Sequence, residues 1–320
     1  MGCDLQLLFL SEDNVLSCGI SSREIVEAVE TGFRTKRNGL TKTATVTAPE
    51  NVRFTAKIAV QSAPAYAVAK WFGFNRSNGS AGLPDYVPLV LLNSAETGLP
   101  LSLIAGRWLT EMRTAAISVV AAKRMARPQA SSIGFIACGA QARSHLDVFR
   151  AMFPIEHIKA FSRTTESADM FCERARRMGL RAERTADARS AITDVDLVVT
   201  SVPLGSRAAT LLRGEWIRCG TFVAMVDRGW SWAPDSIPAF DRIVTDDLEL
   251  SGPGGSERLV VPGPFAGDVA DLVTGAVSGR NDASERTALA FAGTALADAA
   301  VAALIYERAM ACGIGTGLPL

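Results

Sequence analysis

Histidine is scarce in this sequence. The chain also has no long hydrophobic run and no net charge. The 320 residues include only two histidines, His145 and His157, and 33 basic residues balance 33 acidic ones. The scarcity argues against a mechanism built on histidine, and the balance argues against nucleic acid or an anionic membrane surface as a partner. No apolar run reaches the roughly 20 residues that a membrane-spanning helix needs. We therefore expect a protein that binds neither nucleic acid nor membrane.

The six cysteines are scattered along the chain and form no C-x-x-C pair. This distribution has neither the ligand spacing of a zinc site nor the framework of a disulfide-rich secreted protein. We expect no metal and a reducing compartment. The first residues, MGCDLQLLFLSED, place an acid before the apolar stretch and have no basic segment, which makes a poor export signal. These patterns predict a cytoplasmic protein whose first element is a β-strand.

The first third of the chain predicts a helix followed by an antiparallel sheet. Residues 21–38 have apolar side chains at helical spacing, behind two serines that can cap a helix. Four segments with strand-like alternation follow without helices between them: KTATVTAP, RFTAKIAV, YAVAKWFGF and YVPLVLLN. Consecutive strands of this kind favour an α+β domain over a wound one.

From Thr110 onwards strands and helices alternate. The strands SIGFIACG, IKAFSR, DLVVTSV, TFVAMVD and RIVTDD are interleaved with helical segments such as AQARSHLDVFRAMF. Such alternation predicts a parallel sheet with helices on both faces, and the alanine-rich residues 284–310 predict one long final helix. The predicted fold is therefore α/β. A Rossmann-type doubly wound parallel sheet spans residues 113–299, and residues 1–112, joined by the C-terminal segment 300–320, form an α+β domain.

The first strand of the predicted parallel sheet runs into Gly139-Ala140-Gln141 and then into a helix. In doubly wound folds this turn holds a dinucleotide pyrophosphate on backbone N–H groups at the helix N-terminus. Only Gly139 remains of the usual G-x-G-x-x-G motif, because Ala137 stands at the first glycine position. Gly139, Ala140 and Gln141 are therefore candidate cofactor contacts, with a plain strand–helix connection as the alternative.

The end of the next strand, Ser162-Arg163-Thr164, bears on the choice of cofactor. An acidic residue there would bind the ribose 2′-OH of NAD and repel a 2′-phosphate. An arginine between two hydroxyls suits the 2′-phosphate of NADP instead. NADP is the predicted cofactor, and NAD is the alternative. Thr200, Ser201 and Val202 close another strand and are expected to flank the nicotinamide ribose.

A series of motifs, in order along nearly the whole chain, resembles the ornithine cyclodeaminase/mu-crystallin family. The most specific part is the combination of T-x-x-R-T-A-A at 110–116 with G-A-Q-A-R at 139–143. The other matching pieces are Lys70 in YAVAKWFGF, Asn78 with Gly82-Leu83-Pro84, Thr97-Gly98-Leu99-Pro100, Ser162-Arg163-Thr164, GDVADLVTG, Gly279-Arg280 and Gly293-x-Ala295-x-x-Asp298. The resemblance implies a homodimer whose N-terminal domain binds substrate and helps to form the dimer interface, while the Rossmann domain binds NAD(P).

The resemblance also implies roles for individual residues. Lys70 and Arg113 would clamp a substrate carboxylate, and Lys42 stands nearest to a further cationic position of the family. A guanidinium binds a carboxylate through two parallel hydrogen bonds, and a buried ammonium such as that of Lys70 needs an anionic partner. Asp227 matches the catalytic acid/base of the family, with Lys70 as a second catalytic candidate. Thr114 is expected to contact the cofactor.

Three functions remain open at this level. The leading one is hydride transfer between NAD(P)H and the Cα of a small amino or imino acid, by an imine or ketimine reductase or an amino-acid dehydrogenase. An ornithine cyclodeaminase, which makes proline and ammonia, is the second. A non-catalytic NADPH- or small-ligand-binding protein, like the crystallin members of the family, is the third. Asp85, Phe291, Trp230 and Trp232 depart from the family pattern. They predict a reshaped substrate pocket, which argues against ornithine as the substrate. A cyclodeaminase also needs a further acid to hold the distal amine, and no such acid is evident in the sequence, which favours the first function.

Overall fold

The chain divides into two units, a first unit of Met1–Arg113 with Thr294–Leu320 and a second unit of Thr114–Gly293. The computed structural model describes residues 5–37, 40–48, 52–203, 212–252, 259 and 261–320. Each unit is built on a seven-stranded sheet, and strands and helices are numbered here in chain order. Substrate binding and dimerisation by the first unit, and cofactor binding by the second, stay predictions.

The sheet of the first unit is mixed and contains the four strands that the sequence pattern predicted in succession. Its strands are β1 (Gln6–Leu10), β2 (Thr41–Thr47), β3 (Arg53–Ser62), β4 (Ala65–Phe74), β5 (Leu89–Ser94), β6 (Pro100–Ala105) and β14 (Thr316–Pro319). Their order is β14-β1-β6-β5-β4-β3-β2, with β1 parallel to β6 and the other neighbours antiparallel. The strands β6 and β14 were not predicted.

Helices α1 (Glu12–Ser17), α2 (Ser22–Arg34) and α9 (Leu296–Cys312) belong to the same unit, and α3 (Arg107–Met125) begins in it. The predicted cap of α2 is present, because the Ser21 hydroxyl accepts from the Glu24 amide and the Glu24 carboxylate accepts from the Ser21 amide. This reciprocal capping fixes where the helix begins. Helix α9 packs on α2 and on strands β3, β4 and β5.

The two faces of β2–β5 differ in character. Side chains alternate between faces along a strand, and the inner face buries Lys57, Lys70, Val68, Val90 and Leu92. The outer face exposes large apolar side chains, and Trp71, which is 52% exposed, stacks on Phe54 at 5.9 Å between ring centroids. The other large apolar side chains exposed on this face are Val46, Ile58 and Leu89.

The second unit has the predicted Rossmann-type sheet, in which all pairs of neighbouring strands are parallel. Its strands are β7 (Ser132–Ile136), β8 (His157–Phe161), β9 (Arg181–Arg184), β10 (Leu197–Thr200), β11 (Phe222–Met225), β12 (Arg242–Thr245) and β13 (Thr287–Ala290), in the order β12-β13-β11-β10-β7-β8-β9. Its helices, besides the rest of α3, are α4 (Ala140–Met152), α5 (Thr165–Arg177), α6 (Ala188–Ile192), α7 (Leu248–Ser251) and α8 (Val269–Thr274). None of the helices in the described part of the chain could cross a membrane.

The prediction of one helix over residues 284–310 was wrong. Residues 287–290 form β13, which pairs in parallel with both β11 and β12, and all four of its residues are buried. Gly293, with a φ of 92°, lies between this strand and α9. A short apolar run rich in alanine fits a fully buried strand as well as a helix, so the local pattern could not separate the two.

Gly134 offers a test of the packing between β7 and α6. A Cβ added at Gly134 would lie 2.1 Å from the carbonyl oxygen of Ala191. We expect Gly134→Ala to lower the free energy of unfolding by about 2–3 kcal/mol, because backbone cannot move aside easily. Urea unfolding measures this, with Gly139→Ala as the control, since a Cβ there meets nothing within 4 Å. Equal midpoints for the two variants would contradict the close approach.

Candidate functional site

The carboxyl ends of parallel strands bring the predicted cofactor residues to one edge of the second unit. The strand order reverses between β7 and β10, which lie side by side and parallel. Such a reversal opens a ligand crevice at the carboxyl ends of the strands. At this edge the chain leaves β7, β8 and β10 through Gly139-Ala140-Gln141, Ser162-Arg163-Thr164 and Thr200-Ser201-Val202.

Gly139 begins α4 and leaves its first turn without a side-chain cap. Its φ of −83° and ψ of −156° are open to any residue, and an added Cβ would meet nothing within 4 Å. No contact in the described part of the protein therefore requires a glycine here. A phosphate group that approaches the N–H groups of the helix does require one. The turn thus fits a dinucleotide pyrophosphate.

Ala137 takes the left-handed conformation that the first glycine of the motif supplies, with a φ of 69°. Its amide donates to the carbonyl of Phe161 at 2.9 Å, and the Ser201 hydroxyl donates to its carbonyl at 3.4 Å. A residue with a side chain in this conformation costs about 1–2 kcal/mol. The departure from the motif therefore adds strain, while the left-handed turn is kept.

His145 anchors α4 inside the second unit. Its Nδ1 lies 2.7 Å from the Gln141 carbonyl, and its Nε2 lies 2.9 Å from the hydroxyl of Ser118 on α3. Burial lowers the pKa of His145 to about 4, so the ring is neutral at neutral pH. Thr114, a predicted cofactor contact, lies buried one turn before Ser118 on α3. These bonds make His145 a packing residue of the second unit.

A cavity of about 500 Å³ opens beside Gly139, between α4 and α5. Three arginines line it, and two of them are paired, Arg174 with Asp147 at 2.7 Å and Arg177 with Glu173 at 3.2 Å. The third is Arg143, and Arg163 is exposed after β8. Among the described residues neither Arg143 nor Arg163 forms an ion pair with a carboxylate. Their guanidinium groups make this surface attractive to phosphate.

Asp227 follows β11 at the same edge of the sheet and is 4% exposed. Its Oδ1 accepts from the Thr200 hydroxyl at 2.9 Å and the Gly229 amide at 3.2 Å, and its Oδ2 accepts from the Ser231 hydroxyl at 2.6 Å. Burial raises the pKa of Asp227, although these hydrogen bonds oppose the shift. A raised pKa moves a carboxyl group towards the range in which it can exchange protons near neutral pH.

The two tryptophans after Asp227 differ in their surroundings. Trp232 is buried, packs against Phe240 and donates its Nε1–H to the Thr200 hydroxyl at 3.4 Å. It therefore supports a partner of Asp227, and its part in a reshaped substrate pocket stays a prediction. Trp230 is about half exposed on the same turn.

The first unit buries a cluster of three charged side chains. The Lys70 ammonium donates to Asp298 Oδ1 at 2.7 Å, and Arg113 Nε lies 3.0 Å from the same oxygen. Lys70 is 1%, Arg113 6% and Asp298 0% exposed. Two buried cations thus share one carboxylate oxygen, and the excess positive charge favours an anion.

Lys57 adds a third cation that was not predicted. It lies directly opposite Lys70 on β3 and is buried. Burial, followed by the charge of Arg113, lowers the pKa of Lys70 to about 7, and Lys57 acts in the same direction while Asp298 opposes both. The alternation in RFTAKIAV could have revealed Lys57, because it is in phase with the inward-facing Thr55 and Ala59. Asp298 is likewise the only acid in the apolar residues 296–305 of its helix, and a buried charge there needs a partner.

Lys42, predicted to bind substrate, does not join this cluster. It pairs with Ile58 on β3, one position along from Lys57, and is exposed. Because neighbouring positions of a strand point to opposite faces, its side chain lies on the outer face of the sheet. On the inner face the cation opposite Lys70 is Lys57, and substrate binding by Lys42 stays a prediction.

Comparison with known proteins places these features in context. The sequence profile of the ornithine cyclodeaminase/mu-crystallin family matches residues 8–313. The chain is 30% identical to the alanine dehydrogenase of Archaeoglobus fulgidus over 321 residues, which cover 98% of each protein. It is similar to Thermococcus litoralis Delta(1)-pyrroline-2-carboxylate reductase, solved with NADH and L-proline, with 27% identity, a TM-score of 0.86 and coverage of 98% and 100% of the two chains. An archaeal alanine dehydrogenase dimer with bound NAD matches with 28% identity, a TM-score of 0.84 and coverage of 99% and 100%.

Gly139→Ala tests the nucleotide turn. We expect this variant to bind NADH and NADPH about tenfold more weakly or worse, because the methyl group occupies the space through which a phosphate reaches the helix N–H groups. Fluorescence titration measures the affinity. Ala137→Gly is the control, since it keeps the left-handed turn and should bind as tightly as the original protein. Unchanged affinity in Gly139→Ala would mean that no phosphate approaches this turn.

Lys70 gives the anion site a predictable pH dependence. With a pKa of about 7, its ammonium loses its proton as the pH rises through that value. We expect the affinity for a simple carboxylate such as propionate to fall about tenfold for each pH unit above this point. Calorimetric titration measures this, and Lys70→Met should bind more weakly with a flatter profile, because guanidinium groups do not titrate in this range. A flat profile in the unmodified protein would contradict the assignment.

Proposed function

The chain belongs to the ornithine cyclodeaminase/mu-crystallin family, and we propose that it is an NAD(P)H-dependent oxidoreductase that transfers hydride at the Cα of a small amino or imino acid. The observation that carries the proposal is the buried excess of positive charge that Lys70 and Arg113 form around Asp298. A substrate carboxylate would balance that charge. Two of the similar proteins are named for alanine and for pyrroline-2-carboxylate, and both compounds have a carboxylate next to Cα.

In this proposal Arg113 and Lys70 bind the substrate carboxylate, and Lys57 adds positive charge on the same face of the sheet. Lys70 also acts as a second acid/base, because a pKa of about 7 lets it hold or release a proton near neutral pH. Asp227 is the acid/base that exchanges a proton with the substrate nitrogen. Its burial and the hydroxyl groups of Thr200 and Ser231 support that role.

The cofactor residues are proposed from their place at the carboxyl edge of the parallel sheet. The nicotinamide ring, when bound, supplies the site that gives or accepts hydride. The backbone at Gly139 holds the pyrophosphate, and Arg163 binds the 2′-phosphate of NADP, which makes NADP the preferred cofactor over NAD. The further contacts are Thr114, Ala140, Gln141, Ser162, Thr164, Thr200, Ser201 and Val202.

A cofactor-consumption assay tests the function. NADH and NADPH are offered with Delta(1)-pyrroline-2-carboxylate, and with pyruvate plus ammonia, while absorbance at about 340 nm is followed. Arg113→Gln should lower kcat/KM about 100-fold or more and leave cofactor binding intact. Arg107→Gln is the matched control, because Arg107 begins the same helix and is exposed.

The same assay separates the alternatives. Proline formed from ornithine with catalytic amounts of cofactor would establish a cyclodeaminase instead. Cofactor binding without turnover of any imine or amino acid would favour a nucleotide-storage protein.

The choice of NADP depends on Arg163. We expect Arg163→Asp to weaken NADPH about tenfold or more and NADH much less, because the new carboxylate repels a 2′-phosphate but can accept from a 2′-OH. Equilibrium binding of both cofactors measures the effect. Arg181→Asp is the control, since Arg181 is exposed at the amino end of β9. Equal losses for the two cofactors would remove the basis for NADP.

We also propose a homodimer that forms through the outer sheet face around Trp71 and Phe54. Exposed apolar side chains on one face favour association, and one similar structure is a dimer. Trp71→Glu should shift the protein to the monomer, because it places a charge in the interface. Light scattering after size exclusion measures the mass, and Leu16→Glu, at an apolar position of similar exposure on α1, is the control. A Trp71→Glu protein that keeps the mass of a dimer would place the interface elsewhere.

A further inference from the structure

The second oxygen of Asp298 is a buried acceptor that lacks a hydrogen-bond partner in the described part of the protein. The first oxygen already takes both Lys70 and Arg113, while the whole side chain is 0% exposed. A buried acceptor without a donor costs free energy, so such an atom in a native fold needs an explanation. Helix α9 places Asp298 in its first turn, where the helix dipole favours a negative charge.

Arg113 leaves donor capacity unused beside this oxygen. Its Nε lies 3.0 Å from Asp298 Oδ1 but makes no hydrogen bond with it, and its Nη1 reaches the Thr294 carbonyl only at 3.5 Å. The cluster thus holds a hydrogen-bond acceptor without a donor, Asp298 Oδ2, close to the Arg113 guanidinium, which has donors to spare. A ligand that carries both a carboxylate and an N–H group on one carbon would satisfy both. An α-amino acid and its iminium form have that arrangement.

We propose that Asp298 Oδ2 accepts the N–H of the substrate nitrogen and thereby selects amino and imino acids against 2-oxo acids. The inference rests on the proposed function and specifies its substrate class. The substrate carboxylate lies on Arg113 and Lys70, and the nitrogen on Cα turns towards Asp298. A 2-oxo acid in the same pose would place its carbonyl oxygen against the carboxylate, acceptor against acceptor, which is repulsive.

This selection matters because the same hydride could reduce either an imino acid or a 2-oxo acid. When hydride adds to Cα of an iminium, the C=N electron pair moves to nitrogen and leaves a neutral amine without any further proton. When it adds to a 2-oxo acid, the C=O electron pair makes an alkoxide that must gain a proton. Asp298 stabilises the positive charge of the iminium and opposes the alkoxide, so it favours the amine product over a 2-hydroxy acid.

Asp298→Asn is the first test. The amide can donate to a carbonyl oxygen, so the ratio of kcat/KM for Delta(1)-pyrroline-2-carboxylate to that for pyruvate without ammonia should fall about 100-fold. Lactate is measured as the product of the pyruvate reaction. Glu307→Gln is the matched control, because this acid lies exposed on the same helix and bonds Tyr66 at 3.2 Å. A variant that loses both activities equally, with the ratio unchanged, would overturn the proposal.

A second test uses the unmodified protein and does not depend on the folding of a variant. Alanine, propionate and pyruvate share a three-carbon skeleton and differ only at Cα. Alanine should bind at least about tenfold more tightly than propionate, and pyruvate should bind most weakly. Equal affinities for the three would overturn the inference. Failure to turn over any imine, with this order of affinities intact, would refute the proposed function and leave the recognition of nitrogen standing.

Discussion

One buried carboxylate oxygen organises the charged part of the first unit. Asp298 on α9 holds Lys70 of β4 and Arg113 of α3 on its Oδ1, at 2.7 Å and 3.0 Å. Without it, two cations would face each other and Lys57 inside the protein, which is strongly unfavourable. The contact that ties the sheet to two helices also leaves the cluster with an excess of positive charge, from which the binding of a carboxylate follows. The proposed selection by nitrogen follows instead from the second oxygen of Asp298, which has no hydrogen-bond partner among the described residues.

The second unit depends on backbone shape where the first depends on charge. Gly139 leaves the space and the uncapped helix turn that a phosphate needs, and Ala137 keeps a left-handed turn despite its side chain. The strand order also positions the site. The reversal between β7 and β10 brings the carboxyl ends of four strands to one edge of the sheet, including β11, which leads to Asp227. Alanine at the first glycine position of the motif is compatible with this geometry, since hydrogen bonds with neighbouring strand ends hold the turn.

The sequence predicted those parts of the structure that depend on local pattern. The caps and apolar spacing of α2, the alternation in β2–β5 and the strand–helix alternation of the second unit are all local. Residues 287–290 were assigned wrongly because short alanine-rich runs suit both strand and helix, and only the neighbours β11 and β12 decide. The alternation in its own strand could have shown that Lys57 faces inward, but its place opposite Lys70 depends on strand register, which no single segment contains.

The buried cluster also bears on whether the chain is an enzyme or a storage protein. Buried ion pairs add little net stability, and apolar side chains of similar volume often serve a fold as well or better. The cluster of Lys70, Arg113 and Asp298 is therefore poorly explained as a device for stability. Nucleotide binding does not require it either, because the proposed contacts for that ligand lie in the second unit. An excess of buried positive charge with an unsatisfied acceptor beside it is explained when the site receives an amino or imino acid, and that argues against a protein that only stores nucleotide.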